Sequence, residues 1–260
     1  MNARLSLFAV FAAMFLYSQN AAAACSFGPS SSEPSLQMVM NYRLSPAPNA
    51  VGDCVAESSD GHWSMHGQAS VTLLVEYAGY ANQNGFGIYD VANPGQRLQI
   101  FAGANNPFDV RAITLTQTGG GFRFDLIRVN GSILASSVFA SPVFGYYLST
   151  PEAGGKTYYS DTGLNGDHAD HMYAYRGNGG QFLDSNLVPV SLRGKTFDSS
   201  MYLLAWEDLQ HSGDRDYQDM VVVTRSITPV PLPGALGLLG SGLVAFAAFV
   251  RRRRADVANG

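Results

Sequence analysis

The chain has 260 residues and a formal charge of −4, with 16 Lys plus Arg against 20 Asp plus Glu. Between Cys25 and Pro231 the balance is 11 against 19, so the body alone carries −8. That excludes nucleic acid and anionic membrane surfaces as partners and suits a protein that binds cations.

Residues 1–24 read as a signal peptide: Arg4, an apolar stretch from Leu5 to Tyr17, then Ala21-Ala22-Ala23-Ala24, with cleavage after Ala24. The chain is therefore expected to be exported. Its only cysteines, Cys25 and Cys54, are expected to form a disulfide, worth about 3 kcal/mol in the loop-entropy model. A lipidated Cys25 is the alternative, and the absence of any Cys-x-x-Cys argues against a zinc knot.

Residues 25–69 are rich in Ser, Pro, Gly and Asn and read as a disulfide-tied segment, with one strand at Leu36–Tyr42. Residues 70–228 read as β throughout. Strands are expected at Val71–Tyr77, Phe86–Tyr89, Arg97–Ala102, Val110–Gln117, Phe122–Val129, Ser132–Ser137, Val143–Leu148, Lys156–Ser160, Met172–Arg176, Tyr202–Trp206 and Met220–Ile227. Asn130-Gly131 predicts a type I′ hairpin. Short strands between turn signals, without a sustained 3.6 period, predict an all-β fold, a jelly-roll-like β-sandwich. Gly85-Phe86-Gly87-Ile88-Tyr89 echoes Val143-Phe144-Gly145-Tyr146-Tyr147, which suggests equivalent places in the two sheets.

The densest chemistry lies between the last two strands. Glu207, Asp208, Asp214, Asp216 and Asp219 fall in one connection, with Arg215 the only local cation and Gly213 allowing a sharp turn. Such carboxylates repel unless a cation sits among them. A hard divalent ion with six to eight oxygen ligands at roughly 2.3–2.6 Å suits Asp214-x-Asp216-x-x-Asp219. Calcium is the expected cofactor; magnesium, or a solvated acidic turn, leaves the same pattern. Asp161, Asp167 and Asp170, with Asn165, form a second oxygen-rich loop that completes this site, holds another ion or is simply solvated. His62-x-x-x-His66 has zinc spacing only on a helix, and Gly and Ser around it oppose one. There is no Gly-x-Ser-x-Gly elbow, P-loop or dinucleotide fingerprint. Tyr158, Tyr159, Tyr173, Tyr175 and Trp206 fit either sugar stacking or a β core.

At residues 229–260 a Pro-rich spacer leads to an uncharged segment from Ala235 to Val250 and then to Arg251, Arg252, Arg253 and Arg254. Counted from Leu232, that segment covers about 28 Å as a helix, enough for a single transmembrane span with the arginines on the cytoplasmic side.

Two resemblances follow. Val230-Pro231-Leu232-Pro233-Gly234, the apolar segment and the arginine cluster resemble the PEP-CTERM sorting signal of Gram-negative bacteria, with Leu232 in the usual Glu place. The resemblance implies processing by an exosortase, a transient inner-membrane anchor, and delivery to the cell envelope or outside. The body, from Val71 to Arg225, resembles an uncharacterised extracellular domain found in PEP-CTERM proteins and in large calcium-dependent bacterial adhesins. The shared residues include Phe86-Gly87-Ile88-Tyr89-Asp90, Asn165-Gly166-Asp167, and Ala205-Trp206-Glu207-Asp208 with Gly213-Asp214-Arg215-Asp216-Tyr217-Gln218-Asp219. Gln218 stands in place of the common Asn and Trp206 in place of Phe. The expectation is a calcium-stabilised structural or adhesive protein of the envelope or exopolysaccharide matrix, not an enzyme. The rival readings are a glycan-binding module and a polysaccharide-active hydrolase.

Overall fold

The computed structural model describes residues 25–28, 33–75, 80, 82–128, 130–183 and 194–230. The predicted signal peptide at residues 1–24, the Pro231-Leu232-Pro233 part of the predicted sorting motif, the predicted transmembrane segment and the arginine cluster lie outside the described residues. Among the described residues no helix is long and apolar enough to cross a membrane.

The fold is predominantly β, built on one curled sheet. Its strands are β1 (His62–Val75), β2 (Gly85–Asp90), β3 (Asn93–Phe101), β4 (Val110–Thr118), β5 (Gly121–Ile127), β6 (Ile133–Phe139), β7 (Val143–Thr150), β8 (Lys156–Tyr159), β9 (Met172–Arg176), β12 (Met201–Trp206) and β13 (Met220–Val230). The short pair β10 (Gln181–Leu183) and β11 (Lys195–Phe197), unforeseen in the sequence, stands apart. The order β3-β2-β7-β1-β13-β12-β9 forms the main path, while β4, β5 and β6 branch from β1.

β1 is the corner. Its first residues pair with β7 (Trp63↔Phe144), and after Gly67, at φ +70°, it pairs with β4 (Gln68↔Thr114 to Thr72↔Val110). An irregular register against β13 between Met65 and Ser70 marks the same bend. The β4–β6 arm then folds over, and Gln96 of β3 donates from Nε2 to Ser137 Oγ of β6 at 3.0 Å. Trp63, Phe86, Phe101, Phe124, Phe139, Phe144 and Tyr146 fill the enclosed core.

A second apolar layer covers the outside of β9, β12 and β13. Tyr202, Leu204, Trp206, Met220 and Val222 face the enclosed core, and Leu203, Ala205, Val221 and Val223 face the outer layer. With both faces buried, β12 reads as continuously apolar rather than alternating. The outer cover is the N-terminal segment, which corrects the expected strand at Leu36–Tyr42. That stretch is helix α1 (Leu36–Arg43). Ser35 Oγ caps it by accepting from Met38 N at 3.3 Å, and Leu36, Val39, Met40 and Arg43 supply a buried stripe at helical spacing. Cys25 and Cys54 are joined by a disulfide, with Cα atoms 6.2 Å apart. Cys54 bridges to Tyr175, and Val55 N donates to Ala174 O at 2.7 Å, so this segment lines the edge of β9. After the short helix α2 (Glu57–Asp60), β1 begins at His62 rather than near Ser70.

Two further expectations change. The Phe-Gly echo does not mark equivalent places in separate sheets: β2 and β7 are antiparallel neighbours, with Gly87 opposite Tyr147 and Tyr89 opposite Gly145. A Cβ on Gly145 would lie 2.2 Å from the Tyr89 ring, and one on Gly87 2.7 Å from Tyr147. Each glycine makes room for the partner strand's tyrosine. The β5–β6 connection has Gly131 at positive φ but not Asn130, so it is not a two-residue type I′ turn.

Candidate metal centre

The site grows out of the last rung of the β12–β13 ladder. Trp206 pairs with Met220, so the next residues outward, Glu207 and Asp219, stand opposite each other. Asp208 N donates to Asp219 Oδ2 at 2.8 Å, and Glu207 N donates to His171 O at 3.0 Å. The chain then leaves as a 3-10 turn (Gln210–Ser212) and returns through an unusual backbone. His211, Gly213, Arg215 and Tyr217 all have positive φ, alternating with ordinary residues. For a non-glycine residue this costs roughly 1–2 kcal/mol, so the surroundings must hold it. They do: Gly28 N donates to Arg215 O at 3.1 Å, and Tyr217 Oη donates to Asp170 O at 2.7 Å.

The five predicted acids of this turn come together. Two groups have carboxylate oxygens within 4.8 Å of one another: Glu207 with Asp214 and Asp216, and Glu207 with Asp208 and Asp219. Glu207 is 0% exposed, Asp208 1%, Asp219 6% and Asp216 9%, while Asp214 faces solvent. Among the described residues no ion pair reaches Glu207, Asp208, Asp214 or Asp219. Arg215 turns its guanidinium to the carbonyl and hydroxyl of Ser26. Glu207 Oε1 accepts from Leu209 N at 3.3 Å, and its Oε2 is buried with no hydrogen-bond partner.

With no cation among them, burial and mutual repulsion push these carboxyls above their ordinary range. Burial, then the charges of Asp214 and Asp216, pushes the Glu207 carboxyl up to about 8. Burial, then Glu207 and Asp208, raises Asp219 to about 10. Burial raises Asp208 to about 6 against the opposing Asn84 hydrogen bond, and burial with Asp216 raises Asp214.

The other predicted acids go elsewhere. Asp161 lies 3.1 Å from His62 Nε2 and accepts from Gly163 N at 2.9 Å. Asp167 lies 3.0 Å from His171 Nε2 and accepts from His211 N at 2.7 Å and Ala169 N at 3.1 Å. Burial raises the Asp167 carboxyl, but the His211 and Ala169 N–H groups and His171 outweigh it and hold it at about 2. Asp170 accepts from Met172 N at 3.0 Å, and burial beside Glu57 and Asp60 raises it to about 10. None of the three belongs to the two carboxylate groups. Asp167 and His171 instead brace the acidic turn, through His211 N and through His171 Nδ1, 3.1 Å from Glu207 O. His62 sits on a strand rather than a helix, and His66 on the same strand faces solvent, so the pair lacks zinc geometry.

Two participants gave no sequence signal. Asn84, 124 positions from Asp208, donates from Nδ2 to Asp208 Oδ2 at 2.7 Å and is fully buried. Glu33 accepts from Gln218 Nε2 at 2.9 Å, the same nitrogen that reaches Asp216 Oδ2 at 2.9 Å. The aromatics considered for sugar stacking are mostly core: Trp206 and Tyr175 are 0% exposed, Tyr158 4% and Tyr173 8%.

An all-oxygen donor set of this charge suits a hard cation such as calcium or magnesium. No curated protein and no solved structure matches the chain. Residues 131–226, which run from the β5–β6 turn into β13 and include the whole acidic turn, match the family model described as a domain of unknown function (DUF4114).

Proposed function

We propose that this is an exported, calcium-binding protein whose acidic turn requires a cation to hold its charged form. Glu207 carries the reading: a carboxylate with no exposed surface, one oxygen without a partner, and two further pairs of acids within 4.8 Å. Protons or a divalent ion are the two ways to neutralise such a cluster, and near neutral pH calcium competes well where six to eight oxygens converge. The curled sheet is read as a jelly-roll-like sandwich. The disulfide fits an oxidising compartment. Export through residues 1–24, anchoring by a C-terminal helix and exosortase processing at Val230-Pro231-Leu232-Pro233 rest on the sequence pattern. The role we assign is structural or adhesive, in the envelope or exopolysaccharide matrix, rather than enzymatic, because the acids form a ligand set rather than a pair flanking a cleft.

Isothermal calorimetry of the purified chain with calcium, magnesium and zinc chloride tests the cation reading. Calcium should bind with measurable heat and raise the melting temperature, and chelator should reverse both. A chain whose melting point ignores calcium and chelator alike has no cation in this turn.

A further inference from the structure

We propose that the acidic turn holds two divalent cations, bridged by the Glu207 carboxylate; this deepens the cation reading above and rests on it. The two carboxylate groups share Glu207 and nothing else. The inner group is Asp208 and Asp219, both buried at the mouth of the β12–β13 ladder. The outer group is Asp214, open to solvent, and Asp216, at the margin of burial.

The Glu207 oxygens are placed for a bridge. A Cβ on Gly213 would lie 2.5 Å from Oε1, so that oxygen faces the outer limb of the turn. Oε2 is the buried oxygen without a partner. A neutral residue also reaches the inner group: the Asn84 amide is seated against Asp208 by a 2.7 Å hydrogen bond from Nδ2, and its Oδ1 is buried with no partner. Asn84 is 0% exposed and, in contact with an inner carboxylate, carries an unsatisfied amide oxygen, a donor of the type hard cations take.

Charge separates one ion from two. Five carboxylates surrounding one dication keep a net −3 in a turn where four of them are largely buried. Two dications reduce that to −1, next to Arg215. Paired metal ions about 3.5–4 Å apart in one protein site are an established arrangement. The inner ion would be enclosed by protein oxygens, and the outer one would complete its shell with water through the open side at Asp214.

The test is a count. Native mass spectrometry of the whole chain, titrated with calcium chloride at neutral pH, should show two calcium ions per chain at saturation. Asp214→Asn, on the exposed side of the turn, should keep one. Asp208→Asn should lose the inner ion, and Glu207→Gln should lose both. A wild-type chain that saturates at one ion overturns the bridged pair and leaves the cation reading intact. A chain that binds none overturns both. Two ions retained in Asp214→Asn also overturns the assignment, and that outcome does not depend on whether Asp208→Asn folds.

Discussion

The loop at 161–170 and the turn at 207–219 look alike as sequence, each dense in acids and broken by glycine, yet they solve their charge differently. In the loop, Asp161 and Asp167 each meet a histidine and backbone N–H groups. In the turn, Glu207, Asp208 and Asp219 meet mainly one another. The difference is not acid content but which donors the fold delivers. His62 arrives from β1 and His171 from the start of β9, whereas Arg215 is drawn off to Ser26. Acid density alone therefore does not single out a candidate cation site; what sets the turn apart is that the fold withholds protein cations from it.

The largest expected effect separates the two regions by pH. In chelator, the raised carboxyls of the turn should take up protons at a higher pH in the folded chain than in the unfolded one. Their folded values lie above the ordinary carboxylate range, with Asp208 near 6, Glu207 near 8 and Asp219 near 10. Stability should therefore fall as pH rises from about 4 through 8. Saturating calcium should flatten this slope. Denaturant melts at pH 5 and pH 8, with and without calcium, check it; equal stability at both in chelator would break the contrast.

Next in size is the linkage to calcium. At a hundredfold excess over Kd the ion adds about 2.7 kcal/mol. Glu207→Gln should lose most of that gain in calorimetric melts while leaving the calcium-free melting point level or higher, since a buried group that is costly to ionise has gone. An unchanged calcium response would remove Glu207 from the site.

The loop should behave in the opposite sense. Asp167→Asn should cost roughly 1–3 kcal/mol with or without calcium, because it leaves His171 and His211 N short of a charged acceptor. Its folded carboxyl is held at about 2, so its stabilisation is present above pH 4 and fades as pH falls toward 2. If this variant erased the calcium response at neutral pH without unfolding, the loop would be part of the metal centre.

The smallest effect belongs to Asp161→Asn. Its pair with His62 is partly exposed, so a loss of about 0–1 kcal/mol is expected, with calcium binding unaltered by titration. A large loss would mean that the His62 contact holds β1 to the loop.

The turn was legible because its acids lie close together in sequence and its flanks, Met201–Trp206 and Met220–Val223, are plainly apolar. Pairing those runs brings Glu207 opposite Asp219 without any long-range knowledge. The loop's role was not legible, because His62 lies 99 positions from Asp161 and reaches it only once β1 has turned its corner. Asn84 was hidden for the same reason, inside a stretch that reads as a Gly/Asn turn. Helix α1 was missed because Val39 and Met40 suit a strand as well as a helix, and only the spacing of Leu36, Val39, Met40 and Arg43 settles it.

β1 and β13, the first and last strands described, pair along most of their length, from His62↔Val230 to Val75↔Val221. Contacts so distant along the chain are slow to form, since a long loop must close before any burial rewards it. Val71, Leu73 and Trp63 find their final neighbours only after residues 220–230 are free to dock. The closing of β1 against β13, and with it the placing of the strand that Asp219 leads into, therefore waits on the last stretch of the body to be made.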